Sequence, residues 1–309
     1  MKSVCVSFDE MGYACFEKIH ELGGDIRALV TLDTQRPDRR SGQVAFEPLA
    51  ERIAAPLIKC RNINDQPVID ALAEIAPDLV FVIGWSQLVK PEFISLASRG
   101  IIGMHPTMLP KHRGRAPLPW AIIYGLRVTA VSMFYIAAEA DNGDLIAQLE
   151  IPVYRVDTAR TLYDRVLRAH VQLIGQCFPL LDRDEAPRIN QDESRASHWQ
   201  KRTPGDGVID WCTDAEHLYD WIRALGEPYP GAFTFSPKGK LIVWAADLPV
   251  PLAGHAPGEV AAVDCRGALV QTGSGGLWLT HLQLADAPQA VEGQQIAPSG
   301  ILEPGDLLA

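Results

Sequence analysis

"MKSVCVSFDEMGYACFEKIHELGGDIRALVTL", residues 1–32, decides the fold class. Val4–Phe8 is a short apolar run, and the acidic pair Asp9-Glu10 follows it. A helical spacing then carries Ala14, Phe16, Ile19 and Leu22 before Gly23-Gly24 stops it. Ile26–Leu32 is a second apolar run. Strand, helix and strand within ~30 residues read as a βαβ unit. The cycle continues with a helix over Val44–Ala54, a short strand at Pro56–Lys59 and a helix over Ile69–Ile75. A buried strand at Asp78–Ile83, a helix at Phe93–Ala97 and a strand at Gly100–Met104 follow. Such alternation predicts an α/β domain with a mostly parallel sheet covered by helices.

From about Val128 the pattern changes. Thr129–Tyr135 alternates as a strand, "EADNGDL" is a turn, and Ile146–Tyr154 is another strand. Thr161–Leu181 reads as a long amphipathic helix, and the polar stretch Asp182–Ala196 suits a linker. A helix over Ala215–Ala224 precedes short runs at Phe233–Phe235, Lys240–Ala245, Gly258–Val263, Ala268–Thr272 and Leu277–Leu284. Short strands separated by Gly and Pro predict a small β-barrel domain. The expected division is 1–200 and 201–309.

Length agrees with two domains, since 309 residues is long for a single core. The formal charge of −10 disfavours non-specific association with nucleic acid or an anionic membrane. The first residues lack the apolar run of a secretory signal, and no stretch has the apolar length of a membrane span. Six scattered cysteines, with no CxxC pair, predict reduced thiols and neither disulfides nor a metal site. A cytoplasmic location is expected, and a homodimer is left open. The first turn, "FDEMGYA", has no GxGxxG, and no GxxxxGK[ST] loop occurs. In an open α/β sheet a ligand sits beyond the carboxyl ends of the strands. Those ends carry Gly84–Leu88 and His105.

The stretch "HPTMLPKHRGRAPLPWAIIYG", residues 105–125, resembles the signature of the folate-dependent formyltransferase family, NxHxSLLPxxRGxxPxxWxxxxG. His105, Leu109, Pro110, Arg113, Gly114, Pro117, Trp120 and Gly125 fit. Gly103 stands where the family has Asn, Thr107 where it has Ser, and Met108 where it has Leu. "EADNGDLIAQ" resembles the family's DxG loop, with Asp141 and Gly143 in the matching places. "KRTPGDGVIDW" and "RALGEPYPGAFTF" resemble the opening of its C-terminal domain. The likeness to the amino-sugar formyltransferases, such as the domain acting on UDP-4-amino-4-deoxyarabinose, rests on "FDEMG", "RGRAPLPW" and "EPYPGAF". Methionyl-tRNA formyltransferase is a relative.

The resemblance implies a Rossmann-like catalytic domain followed by an OB-like domain, and 10-formyltetrahydrofolate as cosubstrate with no metal. It implies catalysis by His105 and Asp141, and Gly103 at the place of the family's formyl-oxygen donor. It also implies a pterin site over Gln87, Leu88 and Val89, with Ala137, Ala138, Glu139 and Ala140 as the opposite wall. Arg115 would reach a substrate phosphate or the folate. The implied acceptor is the primary amine of a small molecule, first a nucleotide-linked amino sugar. The other acceptors are an amino acid such as hydroxyornithine, or methionyl-tRNA. No nucleic-acid or membrane partner is expected.

The residue chemistry can be read alongside. Acyl transfer to an amine needs a base for the amine proton and donors for the oxyanion. His105 can serve both, and Asp141 can orient the imidazole and favour its charged form. A strand-end histidine is also an ordinary structural residue, and "DNG" is ordinary turn chemistry. Arg113-Gly114 reads as a structural turn, His112 and His198 as surface residues, and Trp85 as either a pocket wall or packing. Gly103 opens three alternatives: a slower enzyme in which water, the Gly103 backbone or Thr107 substitutes as donor; a larger one-carbon group in the space beside His105; or a folate-binding protein without transfer.

Overall fold

A computed structural model describes residues 1–33 and 42–309 of the chain. The chain folds as two compact units. The first comprises Met1–Pro117, Val128–Pro152 and Asp164–Gln200, and the second Leu118–Arg127, Val153–Tyr163 and Lys201–Ala309.

Strands and helices alternate as β1 (Lys2–Val6), α1 (Glu10–Glu21), β2 (Asp25–Leu32), α2 (Glu47–Ile53), β3 (Leu57–Cys60), α3 (Gln66–Ile75), β4 (Leu79–Val82), α4 (Pro91–Ile94) and β5 (Ile101–His105). Then come β6 (Arg113–Gly114), α5 (Pro117–Ile123), β7 (Val128–Tyr135), β8 (Leu145–Pro152), α6 (Ala159–Asp182) and β9 (His198–Trp199). The main sheet has the order β3-β2-β1-β4-β5-β7-β8. β1 to β5 run parallel, β7 is antiparallel to β5, and β8 is antiparallel to β7. The sheet is mixed α/β and mostly parallel, as the alternation predicts.

Period-two side chains explain the layering. Val4, Val6, Ala28, Val30, Val80, Val82 and Ile101 form one buried face with Val68 and Leu72 of α3 and Phe93 of α4. On the other face Phe81 packs on Phe178 of α6, with ring centroids 6.2 Å apart. α1 begins where the Asp9 carboxylate accepts the Gly12 N–H, and it buries Met11, Cys15, Phe16 and Ile19. Each large side chain of this kind contributes about 1.5–3 kcal/mol by leaving water.

The strand order reverses between β1 and β4, where α/β folds ordinarily open a ligand crevice. Here the opening is filled. The Phe8 ring packs on Trp85 at 5.8 Å, and the Asp9 carboxylate lies so close to Gly84 that a Cβ there would sit 2.1 Å from it. The strand ends that carry the expected site residues are those of β4 and β5.

Residues 182–196 do not behave as the expected linker. They belong to the first unit, where Leu145 and Ile189 exchange backbone hydrogen bonds of 2.8 and 3.0 Å. β9 pairs in parallel with β6. The stretch is polar because its side chains bond to loops and do not fill a core.

The second unit continues with α7 (Ala215–Leu225), β10 (Ala232–Ser236), β11 (Gly239–Ala246), β12 (Val260–Asp264), β13 (Gly267–Gln271), β14 (Gly276–Leu284), β15 (Val291–Glu292) and α8 (Ile296–Ser299). Its antiparallel sheet has the order β10-β11-β14-β13-β12, with β15 on β14. Residues 305–309 pair with both outer strands. Val260 N–H donates to Asp306 and Leu308 N–H to Gly258, while Phe235 and Ala309 exchange bonds of 2.9 and 3.0 Å. No helix among the described residues is long and apolar enough to cross a membrane.

Candidate active site

His105 ends β5 at only 7% exposure. The chain leaves the strand through residues 106–112, which are held against β7 and β8. Ser132 Oγ donates to the Thr107 carbonyl at 2.6 Å and accepts the Leu109 N–H at 3.2 Å. Gln148 Nε2 donates to Ser132 Oγ and to the Leu109 carbonyl, both at 2.8 Å. These bonds fix where the loop returns to His105.

His112 is that return point. Its φ of +64° turns its carbonyl toward His105, whose Nε2 lies 3.1 Å away. A carbonyl can only accept, so Nε2 carries the hydrogen and neutral His105 presents an unprotonated Nδ1. The His112 ring stacks on Trp199 with centroids 4.0 Å apart and planes 5° from parallel. Burial pushes its titration below the ordinary histidine range, helped by Lys111 and His105. His112 is thus a half-buried part of the site, not the surface residue that its sequence context suggests. His198 is exposed, as expected.

Asp141 faces Nδ1, with Oδ2 at 3.8 Å, and the same oxygen accepts the Gly114 N–H at 2.9 Å. The separation exceeds a direct hydrogen bond and suits a charge partner for the imidazolium. Asp141 sits at φ +56°, a left-handed conformation that Asp tolerates better than most residues. Two glycines allow the arrangement. A Cβ at Gly143 would lie 1.7 Å from the Tyr135 carbonyl oxygen, and one at Gly114, where φ is +110°, 2.4 Å from that of Trp199.

One alternative opened by Gly103, the larger one-carbon group, and the Thr107 donor within another are corrected by the packing around it. It shares a face of β5 with His105 and pairs with Phe134 across the sheet. A Cβ at Gly103 would meet Ile136 Cγ1 at 2.9 Å and Phe134 Cζ at 3.0 Å. The space beside His105 is filled by these side chains and is not open for a larger group. Thr107 is fully buried, and its Oγ1 donates to the Lys111 carbonyl at 3.1 Å. Its proton is committed and is not free for an oxyanion.

Arg113 is a buried anchor. Its guanidinium meets both Glu193 carboxylate oxygens, at 2.9 and 2.6 Å, and Gln191 Oε1 at 2.8 Å. The Glu193 carboxyl is held below its ordinary range, first by that hydrogen bond. This agrees with the structural reading of the Arg113-Gly114 pair.

On the other side, the loop after β4 carries the expected pterin residues. Leu88 is 66% exposed, and its carbonyl accepts from Asn64 Nδ2 at 2.9 Å. The Gln87 side chain bonds to the Ile63 N–H and the Arg61 carbonyl, and Val89 turns into the core. Trp85 packs on Phe8 and the core, with its Nε1 buried and unpaired. Ala138, Glu139 and Ala140 are exposed and Ala137 is half-buried, in the turn before Asp141. Arg115 is exposed and donates to the Ser86 carbonyl at 3.1 Å. The sheet order sets the ends of β4 and β5 side by side, with Arg115 bonded to the loop after β4. The β7–β8 turn leaves the sheet beside Ile101, and its Asp141 reaches back to His105 and Gly114.

Two buried titratable groups lie near these loops. His170 on α6 donates from Nδ1 to the Val166 carbonyl at 2.8 Å, and burial lowers its pKa to about 4, with His105 adding to the effect. Burial raises Asp9 to about 7, against the bonds from Gly12 and Ser7. No cluster of three His, Cys, Asp or Glu that could hold a metal occurs among the described residues.

Residues 9–177 match the family model described as formyl transferase, and residues 201–297 match that of the formyl transferase C-terminal domain. The chain is similar to HypX from Aquifex aeolicus in complex with tetrahydrofolic acid, at TM-score 0.68 and 18% identity over 97% of this chain and 47% of that one. It spans about half the length of the HypX structures that it matches. It is also similar to WlaRD, a sugar 3N-formyl transferase, in the presence of dTDP and 5-N-formyl-THF. That match has TM-score 0.64 and 15% identity, covering 93% of this chain and 98% of that one. Methionyl-tRNA formyltransferase from Clostridium thermocellum matches at 0.60 and 21%, over 80% and 93%.

Proposed function

The chain belongs to the formyl transferase family, and from that premise we propose that it moves a formyl group from 10-formyltetrahydrofolate to the primary amine of a nucleotide-linked amino sugar. The observation that carries the reading is the His105–Asp141 pair, with the unprotonated Nδ1 facing the carboxylate at 3.8 Å.

In this reading the acceptor nitrogen attacks the formyl carbon. The new C–N bond forms, the carbonyl oxygen takes up the charge, and His105 Nδ1 receives the amine proton. The bond from carbon to the folate N10 then breaks, and the proton passes from His105 to N10. Asp141 stabilises the imidazolium between the two steps. Gly103 offers no side-chain donor to the oxygen and Thr107 is committed, which leaves the protonated imidazole, a water or the Gly103 backbone for that task. Loss of one oxyanion donor costs about 10²–10³ in rate. The exposed Leu88 and the turn 137–140 suit the flat pterin, and Arg115 suits an acceptor phosphate.

A nucleotide sugar is favoured over tRNA by the net charge of −10 and by the match to sugar formyltransferases over 98% of the length of one such protein. The second reading, folate binding with reduced or absent transfer, is favoured by Gly103 alone. Single-turnover mixing with 10-formyltetrahydrofolate and a panel of nucleotide-linked amino sugars separates them. Formylated sugar is the expected product. Product only with hydroxyornithine or methionyl-tRNA would replace the acceptor, and folate binding without any formyl product would establish the second reading.

A further inference from the structure

We infer that Gln191 is a positioning residue for this site, setting the place of Asp141 by gripping the main chain of its turn. The inference rests on the reading of His105 and Asp141 given above.

Asp141 needs outside support for two reasons. Its left-handed backbone is disfavoured for a residue with a Cβ, and its carboxylate is aimed by the Gly114 N–H at 2.9 Å, a single neutral donor. The grip comes from the stretch that reads as a linker. Gln191 Nε2 donates to the Asp141 carbonyl at 2.8 Å and to the Gly143 carbonyl at 2.7 Å. Both carbonyls belong to the turn, one on each side of Asn142.

The amide orientation follows from its partners. Oε1 faces two donors, Arg113 Nη2 at 2.8 Å and Nε at 3.3 Å, while Nε2 faces only acceptors. Reversing the amide would set donor against donor and acceptor against acceptor. Arg113 is 2% exposed and is fixed in turn by the two-pronged pair with Glu193. The residue after Arg113 is Gly114, whose N–H aims the Asp141 carboxylate. One buried arginine thus fixes both supports: its backbone neighbour holds the carboxylate, and through Gln191 its side chain holds the turn. A glutamate at 191 would keep the volume and the bond from Arg113 but would present oxygen to two carbonyl oxygens.

The test is a double-mutant cycle in the full chain, read by single-turnover formyl transfer and by hydrogen exchange over residues 137–144. Gln191→Leu and Gln191→Glu are each combined with Asp141→Asn. Expected for either Gln191 variant alone is a roughly 10–100-fold fall in the transfer rate at saturating folate, because a misplacement near 1 Å costs about that much. Faster exchange in the turn is expected as well. In the Asp141→Asn background the Gln191 change should cost less than about twofold, because the residue it positions is already disabled.

Independent, multiplying losses would overturn the inference and leave a purely structural glutamine. So would unchanged turn exchange and unchanged rate in Gln191→Glu, the variant that retains the Arg113 contact if Gln191→Leu fails to fold. If Asp141→Asn alone transfers formyl at the parent rate, the reading of the site fails first, a result distinct from Asp141 mattering and Gln191 not.

Discussion

Two loops flank the end of β5, and they are built differently. The turn bearing Asp141 is gripped through Gln191 by the buried Arg113, which pairs in turn with the exposed Glu193. The loop bearing Leu88 is held by two neutral amides, Asn64 and Gln87, at partly exposed places. A hydrogen bond to a charged group is shorter and stronger than one between neutral groups. The Asp141 turn is therefore tied, through Gln191, to a charged anchor that the Leu88 loop lacks.

The largest expected effect lies on the Asp141 side. His105→Gln should lower single-turnover transfer by about 10³ while folate affinity, followed by fluorescence titration, changes little. Comparable loss of binding would mean that the two sides are not separate in function. Next comes the filled space beside His105. Gly103→Asn alone should fail to raise the rate and should lower the melting temperature, because Ile136 and Phe134 occupy the place of its side chain. Paired with Ile136→Ala it should recover stability and raise the transfer rate by about tenfold or more, part of what one oxyanion donor supplies. A gain from Gly103→Asn alone would show that Ile136 yields easily.

The two sides also differ in the sign of their pH response. Asp9, against Gly84, has its pKa raised to about 7, so its contribution to stability is lost as pH rises from about 4 to 7. His170, beside His105, is lowered to about 4, so its contribution is lost as pH falls from about 6.5 to 4. Each shift corresponds to roughly 3–4 kcal/mol, and in the parent chain the two slopes oppose one another. Melting curves between pH 4.5 and 7.5 should therefore tilt upward with pH in Asp9→Asn and downward in His170→Gln, by roughly 5 °C or more. Variants whose profiles run parallel to the parent would remove the contrast. The smallest effect is on the Leu88 side. Asn64→Ala should weaken folate binding by about fivefold with the transfer rate at saturation unchanged.

Much of this was legible in the sequence, for a physical reason. Parallel strands and covering helices announce themselves by apolar runs, so β1 to β5 and their helices follow from the residues. His105 and Asp141 are legible through the motifs around them. Arg113 is legible as structural, but its partners are not. Gln191 and Glu193 lie in a polar stretch without periodicity, and nothing in their spacing reveals that they bond to residues some fifty to eighty positions earlier. His112 contributes a carbonyl, and a backbone group has no signature in residue type. α5 begins among prolines that look like loop chemistry and that serve here at a helix start.

The pairing of residues 305–309 with both outer strands of the second unit reaches beyond its own stability. β10 and β12 would otherwise each present a row of unpaired amide groups, the template on which unrelated chains stack edge to edge. With those groups occupied, the sheet has little to offer a passing strand. Removing the last four residues should then show itself in light scattering on standing, at temperatures where the parent chain remains clear, before any change at His105.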